Sequence, residues 1–404
     1  FALVVAVSPV FIYFSRLVAE GNLGITIFIS SIFVLILSLK NPKLFVIGTL
    51  LLGISTHAYY SERIIAILFL PLFVFLNRNY FLRKNSKWFL LGSFIFVLLM
   101  IPHIFIATSG ALTRRFAEVG YLGDRPFAYE FIRRYLIYFS PRNLFFDLGT
   151  GLGRMPPEMG VFYTIFIAPF FVGVFNLKKY ITSRHLKLFV LIALITPIPA
   201  ALTGDSYYPL RALDLIWFFA LIISIGIFVL LESLPRRTGL AIFGLIVLHS
   251  LFSFYVSYFV LFKYESAKAF GNAYVSLLDH LESYKGYKIV IDSERNPGTG
   301  LRIAYLNKYD PIDLQKQLRS QLRTPYYSGE VGLYENYTME NIEFRKLDWG
   351  ELHCEKKLLL IGDRFSVSEL QREEHNLKLE FEVKDITGYD GLFAYTTNPS
   401  EPCN

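Results

Sequence analysis

Charge is what this 404-residue chain has least of. Only 18% of its residues are Asp, Glu, Lys or Arg, and 53% are hydrophobic, where an ordinary soluble domain carries roughly 25% charged residues. A single soluble globule is thereby excluded. Cysteine is limited to Cys354 and Cys403, which rules out a disulfide framework and leaves one bridge or two free thiols as alternatives. The opening apolar run, residues 1–14, has no basic residues before it and no small-residue cleavage site, so it is not a signal peptide. It also lacks an initiator Met, and the natural N-terminus is expected upstream of Phe1. No repeat or low-complexity segment occurs. The C-terminal part holds no metal-ligand spacing, glycine-rich phosphate loop or Ser/His/Asp constellation.

The shortage of charge is uneven. Residues 1–262 hold 22 basic and 10 acidic residues, and residues 263–404 hold 18 and 23, so the net charge of +7 divides into +12 and −5. Two solvents are being addressed, a membrane by 1–262 and water by 263–404. The fold class expected is mainly α: a polytopic transmembrane helical bundle followed by a C-terminal extracytoplasmic α/β domain. The basic residues lie in short clusters between apolar runs and read as topology signals, which makes nucleic acid an unsuitable partner.

Nine apolar runs are visible, at about 1–14, 22–39, 44–58, 64–77, 88–107, 161–176, 188–202, 213–231 and 239–262. Basic clusters fall in every second gap: Lys40 and Lys43; Arg78, Arg83, Lys84 and Lys87; Lys178, Lys179, Arg184 and Lys187; Arg236 and Arg237. The positive-inside rule places these gaps in the cytoplasm and the alternate gaps, with the tail after Lys263, outside. The 108–160 gap resists that bias with seven Arg against five acidic residues, so a local use for its arginines is expected. Within it Phe127, Phe131, Ile132, Tyr135, Leu136 and Phe139 describe an amphipathic helix in the interface plane, a lid over the outer surface. In the tail, helices are expected at 266–284, 301–306, 311–322 and 367–374, with strands at 287–292, 357–361 and 377–385. Residues 336–338, Asn-Tyr-Thr, match a glycosylation acceptor pattern that matters only in a eukaryote.

Ionisable residues within spans mark proton and ion paths. Here only His57, His103 and His249 intrude, each read as a lone imidazole hydrogen-bonded between helices, which disfavours a proton-coupled transporter. Polar residues gather instead at the outer mouths. Arg16 and Glu20, four apart, share a helix face; Tyr59, Tyr60 and Arg63 follow the third run, Arg114 and Arg115 the fifth, and Tyr208 and Arg211 the seventh. Each is individually an ordinary interface anchor or ion pair. Together they offer guanidinium forks for a phosphate, phenols, and a carboxylate able to accept a proton.

These residues also carry a resemblance. Ser8-Pro9, Phe14-Ser15-Arg16 and Glu20; the run from Thr56 through His57, Ala58, Tyr59 and Tyr60 to Arg63; Phe139-Ser140-Pro141 and Asn143-Leu144-Phe145-Phe146; Met159-Gly160 ahead of Gly173; and Ala201-Leu202-Thr203 with Arg211 resemble polytopic GT-C glycosyltransferases. The bacterial protein O-mannosyltransferase and lipid A aminoarabinose transferase group is the nearest. The likeness covers about 1–262 and extends weakly to Ala304-Tyr305-Leu306 and Tyr309-Asp310-Pro311. It implies transfer of a sugar from a polyprenyl-phosphate donor to a hydroxyl acceptor at the outer face of the cell membrane, usually with inversion. It also implies a main catalytic carboxylate ahead of Phe1 and a second acidic position at Glu20. The donor phosphate would meet Arg16, Arg63, Arg114, Arg115 and Arg211, with Tyr59, Tyr60 and Tyr208 around the sugar or acceptor and Phe127 to Phe139 shielding the pocket. Some members hold a divalent cation, for which no ligands are assignable. The alternative is a lipid-linked saccharide flippase or other membrane carrier, and a third reading makes the spans an anchor for the tail.

Overall fold

The computed structural model describes residues 1–17, 19–108, 120, 125–146, 154–205, 207–295, 298–321, 336–348, 352 and 355–397. The chain divides into two compact units, Phe1–Leu261 and Phe262–Asn404.

The first unit is helical. Its opening apolar run is two helices, α1 (Ala2–Val7) and α2 (Pro9–Arg16). Pro9 has no amide hydrogen and holds Ser8 extended, at φ −68° and ψ 130°, so one continuous helix cannot form there. Next come α3 (Glu20–Ser38), α4 (Leu44–Ala58), α5 (Tyr60–Leu76) and α6 (Ser86–Thr108). The 108–160 gap contributes α7 (Phe127–Ile137) and α8 (Pro141–Phe145). The last four runs give α9 (Ile167–Tyr180), α10 (Ser183–Ile195) with the short α11 (Ile198–Ala201), α12 (Leu213–Glu232) and α13 (Arg236–Phe254).

Among the described residues, five helical stretches are long and apolar enough to cross a membrane: Glu20–Ser38, Ser86–Thr108, Ser183–Ala201, Pro209–Glu232 and Arg236–Glu265. Their outward side chains are apolar too, with Phe33, Phe94, Phe105 and Leu248 more than half exposed. Helices apolar all round suit hydrocarbon rather than water. The run at 161–176 is shorter as a helix than its hydropathy suggests, because residues 161 and 162 donate backbone hydrogen bonds to the carbonyls of Asn143 and Leu144 before α9 begins.

Small residues set a close contact between α9 and α12. A Cβ on Gly226 of α12 would lie 1.7 Å from the Pro169 carbonyl oxygen of α9, and one on Gly173 of α9 would lie 2.0 Å from that of Ile222. Backbone against backbone is the packing used where burying apolar surface from water gives no driving force.

The second unit is a six-stranded mixed sheet, ordered β2-β3-β1-β4-β6-β5, with β1 (Lys288–Asp292), β2 (Tyr337–Met339), β3 (Ile342–Arg345), β4 (Leu358–Gly362), β5 (Lys378–Lys384) and β6 (Asp390–Thr396). Strand β1 runs parallel to β3 and β4, and the remaining pairs are antiparallel. Helices α14 (Ala273–Leu281) and α15 (Thr299–Leu306) cover one face, packing on Ile289, Ile291, Leu359 and Ile361. On the other face Val290, Leu358 and Leu360 meet Leu347, Leu352, Val367 and Leu377. Burial on both faces is why β1 and β4 read as continuous apolar runs. Helices α16 (Pro311–Gln321) and α17 (Glu369–Glu374) complete the unit, the latter closed by a Ser368–Gln371 capping box. The helix expected at 266–284 is shorter, because Gly271 at φ 66° ends the segment leading into α14. The acceptor pattern at 336–338 runs into β2. Cys354 and Cys403 lie outside the described residues.

Candidate functional site

A cavity of about 950 Å³ opens in the first unit where the chain turns between helices. Its wall is drawn from the α2–α3 break, the start of α5, the last turns of α6, and residues 199–203 and 208–211. Each turn has a local cause. Glu20 opens α3, where a carboxylate complements the positive end of the helix dipole. Tyr59 is extended, at φ −146° and ψ 145°, between α4 and α5, so the first turn of α5 presents Tyr60 and Arg63 to the same space. Gly24 of α3 admits this turn: a Cβ there would be 2.8 Å from Tyr59 Cβ.

Six of the residues expected at the site line this one cavity: Glu20, Tyr59, Tyr60, Arg63, Tyr208 and Arg211. Arg63 donates from Nε to the Thr56 carbonyl at 3.2 Å and stacks over the Tyr60 ring at 4.3 Å. No ion pair involves it among the described residues. One edge of its guanidinium is therefore anchored, and no described carboxylate competes for the rest. Arg211 is engaged differently, donating to Thr203 Oγ1 at 2.7 Å and to Asp205 at 2.6 Å. Asp205 also accepts from Arg154 at 2.6 Å, and both arginines stand about 5 Å from the Tyr208 ring. Burial works against the Asp205 carboxylate, but the Arg154 and Arg211 guanidiniums outweigh it and hold its carboxyl below the usual range. Two arginines share one acid there, which leaves a surplus positive charge beside Arg63. Burial raises the Tyr59 and Tyr208 phenols despite Arg211, so both remain neutral hydrogen-bond donors.

Three expectations are corrected. Arg16 and Glu20 do not share a helix face, because α2 ends at Arg16 and α3 begins at Glu20; Arg16 lies over the Tyr258 ring and outside the cavity lining. The helix α7 faces the other way from a lid. Its Phe127, Ile132 and Leu136 are more than half exposed while Glu130 and Arg134 are buried. The reason is ionic: Glu130 accepts from Arg125, Arg133 and Arg134, and Arg134 donates to the Thr203 carbonyl. The charged face is thus tied inward, and the Phe127–Phe131–Tyr135–Phe139 ring ladder runs along its flank, where the Tyr135 hydroxyl donates to the Leu194 carbonyl and Phe139 meets Phe219. His57 and His103 are hydrogen-bonded between helices as expected, His57 to the Leu99 carbonyl and His103 to Thr56, but they are not lone: their rings lie 4.3 Å apart, tilted by 31°. Arg114 and Arg115 lie outside the described residues.

Sequence reasoning left out Arg154 as an individual residue and gave Asp205 no role. It also passed over a carboxyl pair. Glu62, 0% exposed on α5, and Asp214, 2% exposed on α12, bury their carboxyl groups against one another. No donor among the described residues reaches either oxygen of Glu62 or Oδ1 of Asp214. Asp214 lies in a candidate span, so the expectation that only histidines intrude there is also corrected; the available signal was a lone acid three residues past Arg211.

Among the described residues Glu20 is the sole carboxylate in the cavity lining, and no group of three His, Cys, Asp or Glu is placed to hold a metal. A divalent cation wants more oxygen ligands than this. No protein-family model matches the chain, and no curated protein or solved structure is significantly similar to it.

Proposed function

We propose that the first unit is a GT-C-type glycosyltransferase that crosses the membrane with all nine apolar segments and moves a sugar from a polyprenyl-phosphate donor to a hydroxyl acceptor at the outer face. The second unit then lies outside the cytoplasm. The observation that supports this best is the gathering of Arg63, Arg211, Glu20 and three tyrosines, from three separate segments, around one cavity. Arg63 and Arg211 bind the donor phosphate, and Tyr59, Tyr60 and Tyr208 donate to sugar hydroxyls. The acceptor oxygen attacks the anomeric carbon opposite the phosphate; the bond from that carbon to the phosphate oxygen breaks, and polyprenyl phosphate leaves. The acceptor proton passes to a carboxylate, with Glu20 holding the sugar or sharing that task. The guanidiniums stabilise the charge growing on the phosphate.

The test is reconstitution of the full-length protein in liposomes with a polyprenyl-phosphate-linked radiolabelled sugar and a mixture of hydroxyl acceptors. Label covalently attached to an acceptor supports transfer. A carrier of lipid-linked saccharide is the second reading, and Glu62 with Asp214 favours it, because buried carboxyls beside a cavity are a feature of proton-coupled transport. A carrier moves the label across the bilayer with the donor chemically unchanged.

A further inference from the structure

The second unit has its own cavity, of about 580 Å³, at the carboxyl edge of the sheet beside β4 and β6. Strand β1 leads away toward β3 on one side, and β4 leads toward β5 and β6 on the other. Loops diverging from neighbouring parallel strands leave a crevice at their carboxyl ends, the position where open α/β sheets hold ligands. The crevice is walled by Asp363, which follows β4, by the start of α14, and by the hairpin between β5 and β6.

That hairpin is built rather than loose. Asp385 accepts from the Thr387 amide at 2.8 Å, its own amide donates to the Tyr389 carbonyl at 2.9 Å, and Gly388 takes φ 82°. Asn272, at the start of α14, accepts from the Ile386 amide at 3.0 Å. At the hairpin's far end, a Cβ on Gly391 would stand 2.5 Å from that of Ala273. The rim is therefore fixed before any ligand arrives.

What the rim presents is chemically specific. Tyr389 is 77% exposed, with no ring or cation stacked on it among the described residues. Asp385, Glu265 and Lys268 line the cavity, and among the described residues no side-chain hydrogen bond or ion pair engages Glu265, Lys268 or Asp385 Oδ2, the turn using only Oδ1. The ring of Phe365 is flanked by Arg295 at 4.9 Å and Arg364 at 4.5 Å, and Asp363 is held by Arg295. An anionic ligand is disfavoured, since the lining carries three carboxylates against two cations. A wholly apolar ligand would leave the free carboxylates and the ammonium without partners. A neutral, polyhydroxylated ring satisfies both kinds of surface: its C–H face rests on an aromatic ring, and its hydroxyls donate to carboxylates and accept from an ammonium.

We infer that this cavity binds a neutral carbohydrate, held on Tyr389 with its hydroxyls on Asp385, Glu265 and Lys268. The cavity volume suits a small saccharide. Taking that carbohydrate as the acceptor of the transfer reaction rests on the function proposed above; the binding itself does not.

The test uses the full chain in nanodiscs free of glycolipid, titrated with the methyl glycosides of glucose, mannose and galactose, and observed by saturation-transfer-difference NMR. At least one neutral glycoside is expected to receive saturation on its ring protons. Tyr389→Ala should weaken that binding about 10-fold, the size of a lost aromatic contact. Asp385→Asn keeps the oxygen that closes the turn and alters the free one, and should weaken binding while leaving thermal stability unchanged. Arg211→Lys should leave this binding as it is even where transfer is impaired, so failure of the transferase reading is distinguishable from failure of this one. Absence of saturation for all three glycosides, equal binding by Tyr389→Ala, or stronger binding of glucose 1-phosphate than of the neutral glycoside would each overturn the inference.

Discussion

Replacing Arg63 by lysine keeps the charge and removes the shape. In the native protein the guanidinium is fixed twice, by the 3.2 Å bond from Nε to the Thr56 carbonyl and by its place 4.3 Å over Tyr60. Its two terminal nitrogens can then fork onto two oxygens of one phosphate. A lysine ammonium offers one such contact and loses the planar stack, worth about 0.5–1 kcal/mol at an exposed site. The second hydrogen bond to a charged oxygen adds about 1.5–3 kcal/mol. Because an ammonium recovers part of that sum, a net loss of at least about 1.4 kcal/mol is expected, or about 10-fold in kcat/KM. Alanine, which recovers nothing, should cost about 100-fold or more on the same scale. The assay is transfer from a polyprenyl-phosphate sugar in liposomes, with donor affinity measured separately and expression as the control for insertion. If the lysine variant binds and turns over the donor like the parent, Arg63 is an interface anchor and the phosphate site lies elsewhere.

Other consequences follow from the same geometry. In the full-length protein Glu20→Gln should lower transfer about 100-fold or more, the lower end for an acid–base group, without altering donor affinity; near-normal turnover would remove Glu20 from the chemistry. Hydrogen bonding from Arg133, then Arg134, against the cost of burial, holds the Glu130 carboxyl down at about 2 rather than the ordinary 4.5. The native carboxylate thus stays ionised where the unfolded one takes up a proton, so its contribution is complete above 4.5 and is lost as pH falls toward 2. Thermal midpoints compared over that range should converge between Glu130→Gln and the parent, and a constant difference would contradict the ionic account. Gly226→Ala places a methyl where the Pro169 carbonyl sits and should destabilise the first unit by about 1–3 kcal/mol, the usual cost of overpacking; an unchanged melting temperature would show that α9 and α12 are not so close.

The helical segments were legible because apolar runs persist whatever packs against them, and the Arg63, Arg211, Tyr59, Tyr60 and Tyr208 set was legible because polar residues stand out between such runs. Other features depend on contacts that sequence spacing does not encode. The orientation of α7 turns on three arginines meeting Glu130, and from the hydrophobic pattern alone the opposite face looks like the buried one. The Glu62–Asp214 pair joins residues 152 positions apart. Strands β2 and β3 are three and four residues long, too short to show alternation above background, and β6 begins at the Asp-Gly of a turn. Pro9 was visible, but its effect was masked by the apolar residues on both sides.

The central claim is tested most directly by product analysis after transfer from a polyprenyl-phosphate sugar of defined anomeric configuration in liposomes. The account predicts free polyprenyl phosphate and glycosylated acceptor in equal amounts, with the anomeric carbon inverted by NMR, and with both products falling together in the Arg63→Lys protein. Recovery of the donor intact, on either side of the bilayer, would contradict it.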